Sequence, residues 1–279
     1  MSDADAMKGF TEVDRAPDPA RFIASMDETA QWPAVQRLRA WELEQLAPGS
    51  GDAVLDVGCG TADVLTSLAL RVGEGGTAVG IDASQEMLAV ASSRAQALGA
   101  NVHTQIGDAQ ALDFADQSFD IVRCERTLQW VSDPARAVAE MVRVLRPGGR
   151  ICITDTDWRT MLIDHPSSEL LRTFTDAVTT LRGDQMTVGA RLVNMLRNGD
   201  VAGVEAAAET HMWLRWDPDT SMAPPGMVPL SVITGGLVAQ GLLEAEPAQR
   251  LLVEFEQTAR ADRFFVSLTM FAAAGTKLA

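Results

Sequence analysis

The chain of 279 residues carries 38 acidic against 23 basic side chains, a formal charge of −15, with 47% hydrophobic residues and no tyrosine. Its length suits one main domain with additions, and its composition is that of a soluble globular protein. The negative charge is spread along the chain without a Lys/Arg block, so a nucleic-acid partner would be repelled rather than steered in.

The opening MSDADAMKGF is acidic and has no apolar h-region, so no secretory or transit peptide is expected. Residues 1–47 read as leading helices that form a lid, with Phe10, Phe22, Met26 and Trp32 as apolar anchors. From residue 53 to about 157, short β-branched runs alternate with helical periodicity. Strands are predicted at 54–57, 77–82, 102–106, 119–123 and 150–155. The clearest helix is 133–146. Asp133 suits its N-cap and Pro134 its first turn, and Val138, Met141, Val142 and Leu145 recur at helical spacing before Pro147-Gly148-Gly149 stops it. This alternation predicts an α/β fold with a mostly parallel sheet, helices on both faces, and ligands beyond the C-terminal ends of the strands.

After residue 157 the rhythm changes. Helices are expected at 167–181, 188–198 and 247–261, and strands at 204–214 and 264–274. The two strands would complete a seven-stranded sheet, and the helices would cap its ligand edge. The charge-free stretch 220–243 contains Pro224, Pro225 and Pro229, which favours a buried helix after a proline-rich loop over a membrane span. The expected division is therefore 1–47 lid, 48–157 ligand-binding core and 158–279 sheet completion with an inserted cap. Cys59, Cys124 and Cys152 are odd in number and lack CxxC spacing, so buried thiols are expected rather than a disulfide framework or a metal site, with the cytoplasm as the default compartment.

The stretch VLDVGCGTAD at 54–63 runs from a strand into a glycine turn. Read as a dinucleotide fingerprint, Gly58 and Gly60 would be the first two glycines and Asp63 would replace the third. A carboxylate there disfavours a pyrophosphate and with it a nicotinamide oxidoreductase. A ligand carrying an ammonium and a sulfonium is favoured instead.

In its ordered motifs the chain resembles class I S-adenosylmethionine-dependent methyltransferases, specifically the UbiE-like small-molecule group. The resemblance runs from about residue 10 to 157. It rests on VLDVGCGTAD, VGIDAS at 79–84, GDAQAL at 107–112, SFDIVRCERTLQWVSDP at 118–134 and the RVLRPGGR that follows. It implies a Rossmann-like fold with S-adenosylmethionine as cofactor. Asp56, Gly58 and Gly60 would serve the methionine end, Asp82 with Ala83 the ribose, and Met87, Gly107, Asp108 and Ala109 the adenine. Phe10, Cys124 and Gln129 would border the cofactor. Ala62-Asp63 departs from the family, which often has a glycine after the position of Thr61.

In-line methyl displacement needs chiefly collinear reactants, and a base only if the nucleophile enters protonated. With no tyrosine, candidate bases are His103, His165, His211, Asp155 and Asp157. His165 is preferred for its place after the fifth strand, although an exposed loop histidine would occupy the same position. Trp130, Trp158, His165, His211 and Met227 are candidate substrate contacts, and Met161, Met186, Met212 and Met222 could add to an apolar pocket. The expected reaction is O-, C- or N-methylation of a small, largely apolar metabolite of the kind met in natural-product biosynthesis. A non-catalytic module that binds the same cofactor is the alternative.

Overall fold

A computed structural model describes residues 9–16 and 18–279. A 3₁₀ segment Gly9–Arg15 leads into helices α1 (Ala20–Ala30) and α2 (Pro33–Leu46). The core then alternates β1 (Ala53–Val57), α3 (Asp63–Val72), β2 (Thr77–Asp82), α4 (Gln85–Ala97), β3 (Val102–Ile106), β4 (Phe119–Glu125), α5 (Pro134–Val144) and β5 (Leu145–Ile163). After it come α6 (Ser168–Arg182), α7 (Val188–Asn198), β6 (Val201–Trp213), α8 (Leu230–Ala239), α9 (Ala245–Arg260) and β7 (Val266–Lys277).

The strands form one sheet in the order β3-β2-β1-β4-β5-β7-β6. The first five run parallel, and β7 lies antiparallel to both β5 and β6. Strands covered on both faces read as continuous apolar runs whose alternate residues serve opposite cores. Leu55, Val122 and Ile153 pack with α5 and α7, while Val54, Ile121 and Cys152 pack with α2, α3 and α4. The chain order reverses between β1 and β4, and a crevice opens at such a switch point beyond the strand ends.

The fifth strand is far longer than the predicted 150–155. It begins at Leu145, which is extended and pairs with Phe119, so α5 stops at Val144 instead of running to 146. It continues through residue 157, where the expected core ended, because β7 satisfies its backbone as far as Ile163. Its far half, with the ends of β6 and β7, carries a second apolar cluster formed by α6, α8 and α9. The predicted buried helix within 220–243 is α8, which starts directly after Pro229. No described helix is long and apolar enough to cross a membrane.

The N-terminal segment is fastened to the core by charge. Asp14 accepts the Ser84 hydroxyl and the Gln85 and Glu86 N–H groups at the start of α4, where the helix dipole favours a carboxylate. Burial would raise its carboxyl, but these bonds hold it below the usual range. Asp27 grips Arg94 of α4 with two bonds of 2.7 and 2.8 Å.

Candidate active site

The turn after β1 is built by glycine geometry. Gly58 and Gly60 have φ of +74° and +52°, which side chains disfavour. A Cβ at Gly58 would lie 2.1 Å from Thr127 Oγ1, and one at Gly60 would lie 2.3 Å from Met26 Cε. The backbone N–H of Gly60 donates to Asp82 at 2.8 Å, tying the turn to the end of β2. Ala62, at the departure from the family pattern, sustains the left-handed conformation (φ +59°) at a cost of about 1–2 kcal/mol.

The acidic residues flanking this turn are less free than the sequence suggests. Asp63 pairs at 3.2 Å with Arg94, the residue that Asp27 also holds. Asp56 accepts Arg123 at 2.7 Å, and its other oxygen is buried without a partner, which marks a place for a donor. It lines a small recess with Gly58, Thr61 and Met26 rather than the main cavity.

Beneath the turn lies a buried charge cluster. Arg123 bonds Glu42 at 2.7 and 3.1 Å, Asp56 at 2.7 Å and Glu125 at 2.9 Å, and Glu125 also takes Arg39 and Arg126. Three guanidiniums thus meet three carboxylates. Burial pushes Glu42 and Asp56 up despite Arg123. Burial would also raise Glu125, but its three arginines pull it well below the usual carboxylate range. Arg126, itself at φ +55°, reaches Thr29 Oγ1 at 2.7 Å and so joins the end of β4 to α1.

A cavity of about 1570 Å³ occupies the crevice. One end is bordered by Gly58, Gly60, Asp82, Ala83, Gly107 and Asp108, with Met87 and Ala109 behind them. Asp82 accepts the Ser84 N–H at 2.9 Å in addition to that of Gly60. Burial raises its carboxyl, and the N–H bonds oppose the rise. Asp108 closes a turn by accepting Gln110 N at 2.8 Å. Phe10 covers this end edge-on to Phe22 and beside Trp130, with centroids at 5.2 and 5.7 Å. The other end is apolar, walled by Trp158, Met161, Met186, Met227 and Met270 and roofed by the Pro224–Pro229 loop. Between them Gln129 accepts Trp158 Nε1 at 2.7 Å.

Several predicted residues lie elsewhere. His165 does not line the cavity: its ring accepts Ser167 N at 3.1 Å on Nδ1 and sits 3.2 Å from the Leu251 carbonyl on Nε2. The Nε2–H tautomer satisfies both bonds, and the side chain is 0% exposed, so the ring has no open face toward a substrate. His211 stacks on Trp32 at 4.0 Å and meets Trp213 edge-on; burial lowers its pKa, and it too stays outside the lining. His103 is exposed on β3. Cys124, on β4, is fully buried with its thiol pushed well up by desolvation and lies outside the cavity lining, not at the edge expected for it. Met212 points to solvent because its strand neighbours Trp213 and His211 take the inward contacts.

Asp155 is fully buried, with its oxygens accepting Gln129 N and Thr156 N, and desolvation pushes it up to about 7. Asp157 is paired with Arg159 at 2.8 Å. Two features went unread in the sequence: Met26 closing over Gly60, and Arg182 entering the cavity. Arg123 inside the apolar run FDIVRCE was the visible signal of the charge cluster.

The cradle suits S-adenosylmethionine on its own chemistry. The cavity offers two carboxylates for hydroxyl and amino donors and glycines that admit close approach, and the adjoining recess, which shares Gly58 and Met26 with it, holds the unpartnered Asp56 oxygen for an ammonium.

Comparison with known proteins agrees. The methyltransferase domain family matches residues 48–207. A 37.1 kDa protein in transposon TN4556 of Streptomyces fradiae is 32% identical over 89% of this chain and 69% of its own length. The demethylmenaquinone methyltransferase of Bacillus cytotoxicus is 40% identical over 46% of this chain, a match spanning 55% of that protein. The YcgJ protein of Bacillus subtilis shares the fold with a TM-score of 0.57 at 23% identity, covering 88% of this chain and 99% of that one. The chain belongs to the methyltransferase domain family and is a class I S-adenosylmethionine-dependent methyltransferase.

Proposed function

We propose that the protein methylates a small, largely apolar molecule enclosed beside the cofactor. The continuity of the large cavity carries this reading, because its polar, glycine-edged end and its apolar end meet at Gln129 and Trp130. Ligand sites commonly occupy roughly 300–1,000 Å³. About 1570 Å³ leaves room for a cofactor and an acceptor together. The cap and the proline-rich loop roof the apolar end, which suits a compact acceptor better than a macromolecular surface.

In this reading Asp82 accepts the ribose hydroxyls, Asp108 and the Ala109 N–H hold the adenine edge, and Met87 lies against its face. Gly58 and Gly60 admit the methionine portion, whose ammonium meets the free oxygen of Asp56, while Phe10 and Met26 close the lid. When bound, the cofactor supplies a methyl carbon made electrophilic by the adjacent sulfonium. The chain's own contribution is to hold the acceptor in line and exclude water, an effect worth roughly 7–11 kcal/mol when orientation is well set. No histidine among the described residues borders the cavity, so His165 and His211 are given no proton-transfer role.

Incubating the protein with trideuteromethyl S-adenosylmethionine and fractionated cell extract tests this. The label is expected in low-mass apolar compounds. Label confined to protein or nucleic acid would refute the small-molecule reading.

A further inference from the structure

Arg182 is the last residue of α6, and Gly183 turns the chain away from it with φ +54°. Its guanidinium lies 4.4 Å from the centroid of Trp130, and Nη2 donates to the Gln129 carbonyl at 3.3 Å. The side chain lines the cavity beside Val178, one helical turn earlier, and Met186 of the next segment. Unlike Arg39, Arg94, Arg123 and Arg126 around the same site, it has no carboxylate within salt-bridge distance among the described residues.

That isolation is unexpected in a chain with 38 acidic side chains. The neighbouring acid, Asp155, spends its oxygens on two backbone N–H groups and makes no bond to Arg182. Desolvation lowers the Arg182 pKa, and the charge of Asp155 opposes the fall. A partly buried guanidinium without an anion is costly, and its planar fork matches the paired oxygens of an oxyacid. Trp130 and Gln129 fix the fork while leaving its other N–H donors without a protein partner among the described residues.

We propose that the methyl acceptor is an amphipathic oxyacid, an apolar body bearing a carboxylate or phosphate, and that Arg182 anchors the anionic group while the Met161–Met186–Met227 wall takes the body. This rests on the reading of the apolar chamber as the acceptor site. Arg182 sets which acceptors enter and their orientation, leaving the cofactor contacts untouched.

Calorimetry on the full chain saturated with S-adenosylhomocysteine tests it. The probes are decanoate, decyl phosphate and decanamide, with 1-naphthoate, 1-naphthyl phosphate and 1-naphthamide as a second body. In at least one series an acid should bind about ten-fold or more tighter than its amide, as a charge-assisted pair allows. Whichever acid binds tighter distinguishes carboxylate from phosphate. Arg182→Met should abolish the preference without changing homocysteine-ligand affinity, and Arg182→Lys should restore part of it. Equal binding of acid and amide, a preference that survives in Arg182→Met, or no binding of any acid would overturn the proposal. The S-adenosylhomocysteine titration alone reports on the cofactor site. If it fails, the same acid-over-amide comparison on the unloaded chain still decides the role of Arg182.

Discussion

Replacing Arg123 by methionine should unfold much of what holds the cofactor turn in place, and by an amount that depends on pH. Arg123 is 3% exposed and is the cation bonded to both Glu42 and Asp56. Glu125 keeps Arg39 and Arg126 after the change, so two carboxylates lose their bonded cation. Removing one partner of a buried ion pair costs about 3–5 kcal/mol. That is a large share of the roughly 5–15 kcal/mol by which a domain is stable.

The orphaned carboxyls escape by binding protons. Burial already raises Glu42 and Asp56, and loss of Arg123 removes the attraction that opposes the rise. An acid whose folded pKa lies above its unfolded value gives stability that is full below the unfolded pKa and lost as pH rises through the folded one. The penalty in Arg123→Met should therefore shrink from pH 7 to pH 5, by up to about 2.7 kcal/mol for each carboxyl that protonates over that interval. Urea denaturation of both proteins at several pH values reads this directly. A loss under about 1 kcal/mol at pH 7, or a loss independent of pH, would refute the charge-cluster reasoning.

Asp155, raised by burial to about 7, should make the protein less stable as pH climbs from 5 to 8. Relative to Asp155→Asn the decline should be about 2–3 kcal/mol, seen by chemical denaturation, and a constant difference would contradict it. Asp14→Ala removes the carboxylate that caps α4 from the lid. It should cost about 1 kcal/mol and speed proteolysis of the segment preceding α1, and unchanged cleavage would show that the lid is held elsewhere.

The parallel core was legible because its strands are buried on both faces. Residues 54–57 and 119–123 are rich in apolar side chains, and a glycine turn follows β1. Those patterns are local, and so were the motifs built on them. The far half of β5 was hidden because Asp157 and Arg159 resemble a loop, while the pairing that makes this stretch strand comes from β7 in a distant part of the chain. His165 was misplaced for the same reason. Followed by a proline it looks exposed, yet it bonds Leu251, 86 residues onward. The free charge expected at Asp63 vanished once Arg94 lay across it. Arg182 carried no signal, since a basic last turn is ordinary helix chemistry until Trp130 is seen beneath it.

The crevice beyond β1 and β2 should take the sulfonium cofactor through Asp82 and the glycine cradle. Calorimetric titration with S-adenosylhomocysteine and with NADH, on the wild type and Asp82→Ala, tests it most directly. One site is expected for the sulfur ligand, markedly weakened in Asp82→Ala, with no heat from NADH. Saturable NADH binding with none from S-adenosylhomocysteine would contradict it.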